Sequence, residues 1–363
     1  VNHYNRKTKR FQVFKNQPNN PNSLSSDAVL GLLQDKPDSL WVGTWGGGLN
    51  RFNPQTETFQ RFPSNGTALG TSSDHIWKIL SSSHGILWIA THGGGLNTYN
   101  PRSQTFTHYL SDPNNDNSIS SNLVWTVYED RGGNIWAGTD QGLNLLNKQT
   151  GLIQVYKANT AKPNSLSNNN VFDIHEDRFG KLWLATRKGL NRFDPQTESF
   201  TRFAKAEGLL GEIVRSIVED RGGKLWLATN RGISVFSPQT LSFENYNHNS
   251  GWPKYEFNNG SGLLLSTGDC LFGGIKGATI ISPSKIQANT TPPPVVITDF
   301  KIFTQSIARA GKQSTLLNGI NFTKTITLNH HQSMFSIEFS ALNFRDSKRN
   351  KYAYKLEGFD TVS

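Results

Sequence analysis

The sequence predicts an all-β chain, a β-propeller followed by a partial Ig-like β-sandwich. Three observations carry this. A motif built on Leu-Trp-x-Gly/Ala-Thr recurs through most of the 363 residues. Its key aromatics, Trp41, Trp88, Trp136, Trp183, Trp226 and Phe272, are spaced by 47, 48, 47, 43 and 46 residues. Such a period, rich in short strands, marks a propeller, because one unit cannot bury its apolar faces without neighbours. Finally, Gly, Pro, Asn and Asp bound each short apolar run, and these residues accept the backbone angles of tight turns.

Val1–Phe14 aligns without a gap with Leu49–Phe62, so the chain opens on the back half of a blade. Five full periods follow. The third shows the plan. An apolar strand, Val124-Trp-Thr-Val-Tyr-Glu-Asp130, ends in an acidic pair. The turn Arg131-Gly-Gly-Asn134 leads into the Trp strand, and a second glycine turn leads into Leu143-Asn144. In the first period, Asn53-Pro-Gln-Thr56 then turns the chain into Thr58-Phe-Gln-Arg-Phe62. The last period is worn, with a long entry over Tyr246–Gly262 and strands at Leu263–Ser266, Cys270–Gly274 and Ala278–Ser282. Six Trp-type strands are visible, and seven blades is the count expected of an intact parent.

The propeller is assigned to residues 1–288. The proline run of Thr290-Thr-Pro-Pro-Pro294 makes 289–294 a stiff junction. The partial sandwich is assigned to 295–363, with strands expected at Val295–Phe303, Thr325–Leu328, Met334–Ser340 and Lys351–Asp360. A sandwich lacking its final strands exposes a sheet edge.

A net charge of +10 invites a nucleic-acid reading, and its distribution argues against one. Residues 1–62 hold 8 basic and 4 acidic groups, and residues 299–363 hold 9 and 5. The body between them carries 20 basic and 18 acidic groups, with no basic stripe. No apolar run reaches membrane-spanning length, and no secretory leader is visible. The single cysteine, Cys270, builds neither an internal disulfide nor a zinc cluster.

The pairs Glu129-Asp130, Glu176-Asp177 and Glu219-Asp220 recur at one hairpin of successive periods, which says turn chemistry rather than catalysis. Asp112-Pro-Asn-Asn-Asp-Asn-Ser118 begins like a calcium loop, but Asn117 replaces the glycine and Leu123 the closing glutamate. His330-His331 has no partner ligand in the sequence, and no nucleophile elbow exists. No catalytic residue, metal or cofactor is expected.

Within the repeats, Trp, Gly/Ala, Thr and Gly stay fixed, and the two residues after Thr change. They are Trp45-Gly46, His92-Gly93, Asp140-Gln141, Arg187-Lys188, Asn230-Arg231 and Ile275-Lys276. This turn should share one rim with the loops between blades. Variable side chains on a rigid scaffold are how binding sites arise. The expected ligand-binding set is Trp45, His92, Asp140, Gln141, Arg187, Lys188, Arg231 and Lys276, with Trp252 and Tyr255 as sugar-stacking residues. A basic arc opposite an aromatic one suits a ligand bearing a carboxylate or sulfate and a flat sugar face. Leu30, Trp77, Trp125, Phe172 and Arg215 occupy equivalent inner-strand places, as stacking residues or as wedge filling between blades.

The unit Ser-Leu-Ser-Ser-Asn-x-Val…Glu-Asp-Arg-x-Gly-x-Leu-Trp-x-Gly/Ala-Thr-x-x-Gly-Leu-Asn-x-Phe resembles the two-component regulator propeller repeat. Tyr352-Ala-Tyr-Lys-Leu-Glu-Gly-Phe-Asp360 resembles the triple-tyrosine domain that follows such propellers, and Ser282-Pro-Ser-Lys-Ile286 resembles the usual junction. The resemblance implies the periplasmic sensor region of an inner-membrane receptor. A transmembrane helix would follow, then a histidine kinase or a diguanylate cyclase, so the chain itself would not be an enzyme. It further implies a small-molecule or oligosaccharide ligand, a homodimer in the intact receptor, no nucleic acid, and membrane contact only through a segment outside this sequence. A propeller lyase using His92 with Asp140 or Gln141, and a protein-docking scaffold, are the alternatives.

Overall fold

The computed structural model describes residues 1–5, 7–147, 150–247, 256–286, 293–307, 320–342 and 352–355. The chain divides into two compact units, parting between Pro283 and Ser284.

The first unit opens on the hairpin β1 (Asn2–Asn5) and β2 (Arg10–Val13). Five four-stranded antiparallel meanders follow. The first sheet is β3 (Val29–Lys36), β4 (Ser39–Thr44), β5 (Leu49–Asn53) and β6 (Thr58–Arg61). The second is β7 (Ile76–Ser81), β8 (Leu87–Thr91), β9 (Leu96–Asn100) and β10 (Thr105–Tyr109). The third is β11 (Val124–Glu129), β12 (Ile135–Thr139), β13 (Leu143–Leu146) and β14 (Ile153–Tyr156). The fourth is β15 (Val171–Glu176), β16 (Leu182–Thr186), β17 (Gly189–Asp194) and β18 (Ser199–Phe203). The fifth is β19 (Val214–Glu219), β20 (Leu225–Thr229), β21 (Gly232–Ser237) and β22 (Ser242–Tyr246). The sixth has three strands, β23 (Phe257–Leu264), β24 (Cys270–Gly274) and β25 (Gly277–Ile281). The first strand of each sheet lies against the first strand of the next, which is propeller architecture.

The Trp strands form the packed layer between sheets. Trp183, 1% exposed, meets Phe203 of its own sheet and Phe236 of the next, with ring centroids 5.8 and 5.3 Å away. Trp41 meets Phe62 and Tyr99 in the same way. The segment after the opening hairpin packs on the first sheet. Phe14 packs on Phe52 and Phe59 of the first sheet.

The fixed polar residues of the repeat each hold a turn. The Thr that ends the second strand donates its hydroxyl to the glycine carbonyl beyond the turn, from Thr44 to Gly48, Thr91 to Gly95, Thr139 to Gly142, Thr186 to Gly189 and Thr229 to Gly232. Glycine is required there. Gly142, Gly189 and Gly232 have φ of +133°, +94° and +136°, and a Cβ on any of them would fall about 2.5 Å or less from a carbonyl oxygen of the outer strand. The buried Asn of the third strand accepts from the Ser backbone ahead of the inner strand, as Asn144 does from Ser120 at 2.7 Å and Asn191 from Ser167 at 2.9 Å.

At the opposite edge, each aspartate of the acidic pairs closes its hairpin. Asp177 Oδ1 accepts from the backbone of Phe179 and Lys181, and Oδ2 accepts the Trp183 indole N–H at 2.8 Å. Asp130 with Trp136 and Asp220 with Trp226 repeat this at 2.8 and 2.7 Å. The glutamates and the following arginines stitch neighbouring sheets. Glu176 accepts from the Arg131 backbone, and the Arg131 guanidinium donates to the carbonyls of Asp177 and Arg178. Arg178 treats Glu219, Asp220 and Arg221 in the same way. The turn reading of these pairs therefore holds, and the indole bond is its addition. In the first sheet the hairpin turns through Pro37 with a register shift, and neither Asp35 Oδ1 nor Trp41 Nε1 has a partner among the described residues.

The second unit holds β26 (Val295–Ile302), β27 (Gln305–Ser306) and β28 (Phe335–Ala341) in one antiparallel sheet. Thr325–Leu328 is not a strand, contrary to expectation. Ile326 and Leu328 instead cap a small core of Phe300, Ile302 and Ile320, so their alternation reports packing without ladder pairing. Of Lys351–Asp360, Tyr352–Lys355 are described and are not in a strand; the rest lies outside the described residues. His330 and His331 are exposed, with rings 3.8 Å apart.

Candidate functional site

The edge carrying the turns between second and third strands also carries the loops between sheets, and backbone hydrogen bonds join the two. Trp45 N–H donates to Ala28, His92 to His75, Arg187 to Asn170 and Asn230 to Ile213, each within its own sheet. Gly46 donates to Asp74, Gly93 to Asn122, Gly142 to Asn169 and Gly189 to Glu212, each in the following sheet. The fixed Thr holds the variable residue too. The backbone of Gln141, Lys188 and Arg231 donates to Thr139, Thr186 and Thr229 Oγ1 at 3.0–3.1 Å. The turn backbones are thus held alike, and what differs is the side chain.

The structure gathers one end of the expected set into a ring cluster. Trp45, 39% exposed, has its ring 4.1 Å from His75, 5.1 Å from His92 and 5.6 Å from Trp77, centroid to centroid. Asp140 is half-buried, and its Oδ1 has no partner among the described residues. Gln141, Arg187, Lys188, Arg231 and Lys276 are exposed, on the third to sixth sheets, so the aromatic and basic residues occupy different stretches of one rim. Trp252 and Tyr255 lie outside the described residues.

Inside this rim is a second layer. Every inner strand of the five full sheets carries a β-bulge at the same place, between Val29 and Gly31, Ile76 and Lys78, Val124 and Thr126, Val171 and Asp173, and Val214 and Ser216. The bulged residues are Leu30, Trp77, Trp125, Phe172 and Arg215. A bulge adds one residue against its partner strand and re-aims its side chain. Trp77 meets Trp125 at 5.0 Å, and Trp125 meets Phe172 at 5.6 Å. Arg215 Nη1 donates to Asn259 Oδ1 at 3.0 Å. Asn259 belongs to a larger bulge in β23, between Phe257 and Gly262, that reaches β11 and β15. Gly260, at φ +59°, lies beside Phe172, and a Cβ there would be in ordinary contact with the Phe172 carbonyl oxygen at 3.7 Å.

One residue further along the inner strands lies a polar layer. Lys78 Nζ is 3.0 Å from Asp173 Oδ1 and donates to Thr126 Oγ1 at 3.0 Å. Asp173 Oδ2 accepts from Ser216 Oγ and the Ile217 backbone, and Ser216 Oγ accepts from Gly262 N–H at 2.8 Å. Five inner strands are tied together here, with charge matched.

The family model for the two component regulator propeller matches residues 23–46, 118–141, 165–188 and 208–231. Four stretches of this chain thus match two-component regulator propeller repeats. Each matched repeat starts just ahead of an inner strand and ends on a variable rim turn. A histidine kinase P4 of Formosa agariphila is 35% identical over 115 residues, which is 32% of this chain and 8% of that protein. Among solved structures, the extracellular domain of a candidate hybrid two component system from B. thetaiotaomicron has TM-score 0.55 at 22% identity, covering 92% of this chain and 51% of that one. PorZ, a surface component of the type-IX secretion system of Porphyromonas gingivalis, has TM-score 0.55 at 14% identity over 86% of this chain and 49% of that one. A virginiamycin B lyase from Staphylococcus aureus has TM-score 0.52 at 14% identity, covering 77% of this chain and 90% of the enzyme. At these identities the solved structures share the propeller fold.

Sequence reasoning missed His75, Asp74 and Asn259. His75 Nδ1 lies 2.5 Å from Asp74 Oδ1 in the loop between the first and second sheets. The signal was available, because this loop position of the repeats also changes, through Ala28, His75, Leu123, Asn170 and Ile213. A cleft of about 620 Å³ opens at the other edge, beside Arg131, His175, Arg178, Glu219 and Leu263. Its arginines are committed to backbone carbonyls of the neighbouring sheet.

Proposed function

We propose that this chain is the extracytoplasmic ligand-sensing part of a two-component receptor, and that it binds its ligand on the rim carrying Trp45, His92, Asp140, Arg187 and Arg231. One observation carries the reading. The rim turns are clamped by the same Thr and Gly bonds in each repeat while their side chains diverge, so the scaffold is shared and the surface is specialised. The regulator propeller repeats and the stretch shared with a histidine kinase support the receptor context. In that context the parent continues into a membrane span and a kinase or cyclase, sits in the periplasm and pairs as a homodimer. The ligand class that fits is an oligosaccharide, with the aromatic cluster as the stacking surface.

The test is calorimetric titration of this chain with a panel of neutral and acidic oligosaccharides, repeated with the rim double variant Trp45→Ala, His92→Ala. Binding that the double variant loses, with its melting temperature retained, supports the rim. Binding unchanged in the variant overturns the assignment. A lyase reading has one observation behind it, the His75–Asp74 contact beside His92, and turnover of a panel member would establish it.

A further inference from the structure

Six buried side-chain atoms have no hydrogen-bond partner among the described residues: Asp35 Oδ1, Trp41 Nε1, Trp77 Nε1, Trp125 Nε1, Asp140 Oδ1 and Arg215 Nε. The first two are accounted for. They are the acceptor and donor that the Pro37 turn of the first sheet keeps apart. The other four all belong to the bulged residues and the rim turn at one mouth. Leaving such a group buried and unpaired costs about 1–3 kcal/mol, and native chains leave few of them. All four lie on the inner strands and a rim turn of the same edge, and a ligand that satisfies them must first displace the protein atoms that cover them.

We infer that the bulge layer opens on binding into a pocket for a sugar bearing a carboxylate. The inference rests on the rim reading above and moves the specificity inward, from the exposed turn cations to Trp77, Trp125, Arg215 and Asp140. The chemistry follows from the unpaired atoms. Two indole N–H groups and one guanidinium N–H ask for acceptor oxygens, and the guanidinium charge asks for an anion. Asp140 Oδ1 asks for a donor, which a sugar hydroxyl supplies. The indole faces of Trp77 and Trp125 suit the apolar C–H face of a pyranose. Arg215 is held for this role from outside, since Asn259 takes one terminal nitrogen and leaves Nε without a partner. The floor is the Lys78–Asp173–Ser216 layer, whose charges are already matched, so it closes the pocket without competing for the anion. Trp77, Trp125, Asp140 and Arg215 are half-buried as whole residues while these polar atoms are hidden. A ligand therefore draws the indoles into a new setting as it binds, and their fluorescence should report it.

The probes are tetragalacturonate and the neutral maltotetraose, titrated into this chain by calorimetry and by tryptophan fluorescence. The variants are Trp125→Phe, which keeps a ring and removes the N–H, Arg215→Gln, Asp140→Asn, and the exposed-turn pair Arg187→Ala, Arg231→Ala. The expected result is binding of tetragalacturonate with a fluorescence change, weakened about tenfold to a hundredfold by Trp125→Phe and by Arg215→Gln, and less by the exposed-turn pair. Each variant's melting curve controls for folding. If tetragalacturonate binds and the exposed-turn pair and the Trp45→Ala, His92→Ala variant weaken it while no pocket variant does, the pocket inference fails while the rim reading stands. If maltotetraose binds as tightly, the carboxylate inference fails. If the Trp45→Ala, His92→Ala variant and every pocket variant leave binding unchanged, both fail. Absence of binding by tetragalacturonate tighter than about 1 mM overturns the ligand class.

Discussion

The two edges of the propeller are built from the same repeat and have opposite chemistry. At the edge of the acidic pairs, Asp130, Asp177 and Asp220 each satisfy a hairpin and an indole, and Arg131 and Arg178 each clasp the next sheet. At the other edge the backbone is equally well bonded, but Trp77, Trp125, Asp140 and Arg215 keep atoms without a partner among the described residues. The difference teaches where selection for folding stops. A polar group that serves the repeat recurs with its partner, whereas a group that serves something else recurs in position only and changes in kind, as Leu30, Trp77, Trp125, Phe172 and Arg215 do.

The comparison breaks most readily at the buried tryptophans. Trp183→Ala should cost roughly 3–5 kcal/mol in a urea melt, since it empties a site shared by two sheets and orphans Asp177. Trp45→Ala on the rim should stay within about 1 kcal/mol. Comparable losses at both positions would remove the distinction between the edges.

Next in size is the acidic pair. Asp177→Ala leaves the Trp183 indole and two backbone donors without their acceptor and should cost about 1–3 kcal/mol. Asp140→Ala should be neutral or stabilising by the same melt, because it removes an unpaired buried acceptor.

Alkaline pH sharpens the contrast between packed layer and mouth. Burial pushes the Cys270 thiol and the Tyr156 phenol each up to about 12, and raises Tyr109 and Tyr128. These groups hold their protons more tightly folded than unfolded. Their contribution to stability is therefore constant below the ordinary thiol value of 9.0 and is lost as pH rises from there toward about 12. Tyr156→Phe should shallow the fall in a series of melts between those limits, and Arg187→Ala should leave its slope unchanged.

The smallest effect lies in the turns between third and fourth strands. Lys9, Glu57, Gln104, Glu198 and Leu241 all sit at φ between +50° and +57°. Leu241→Gly should gain about 0.5–1 kcal/mol, seen as a raised urea midpoint, by relieving a left-handed backbone that a leucine side chain resists. A loss there would mean that Leu241 packs in a way its exposure conceals.

The repeat was legible because its fixed residues are each used for one local bond. Thr139 with Gly142 and Asn144 with Ser120 can be anticipated from turn chemistry within a single period. The rim was legible by the converse, since Trp45, His92, Asp140 and Arg187 vary at one fixed place. The inner layer was less so. Whether Trp125 fills a wedge or faces the mouth depends on a bulge, and a bulge is set by pairing between strands, which composition does not encode. His75 escapes because a loop between sheets reads as a connection, and Asn259 because the extra residues of β23 have no counterpart in the other periods. Thr325–Leu328 looked like a strand because packing and pairing leave the same alternation in a short segment.

The Lys78–Asp173 bond joins residues 95 positions apart and skips the whole third sheet. An array coupled only between neighbours can fray from either end, one unit at a time. Here the second and fourth sheets are pinned over the head of the third, so the third cannot loosen without breaking a charge pair buried at its aspartate. Pulled from its ends, the molecule should not unravel in equal steps. The three middle sheets should yield as one event, larger than those on either side.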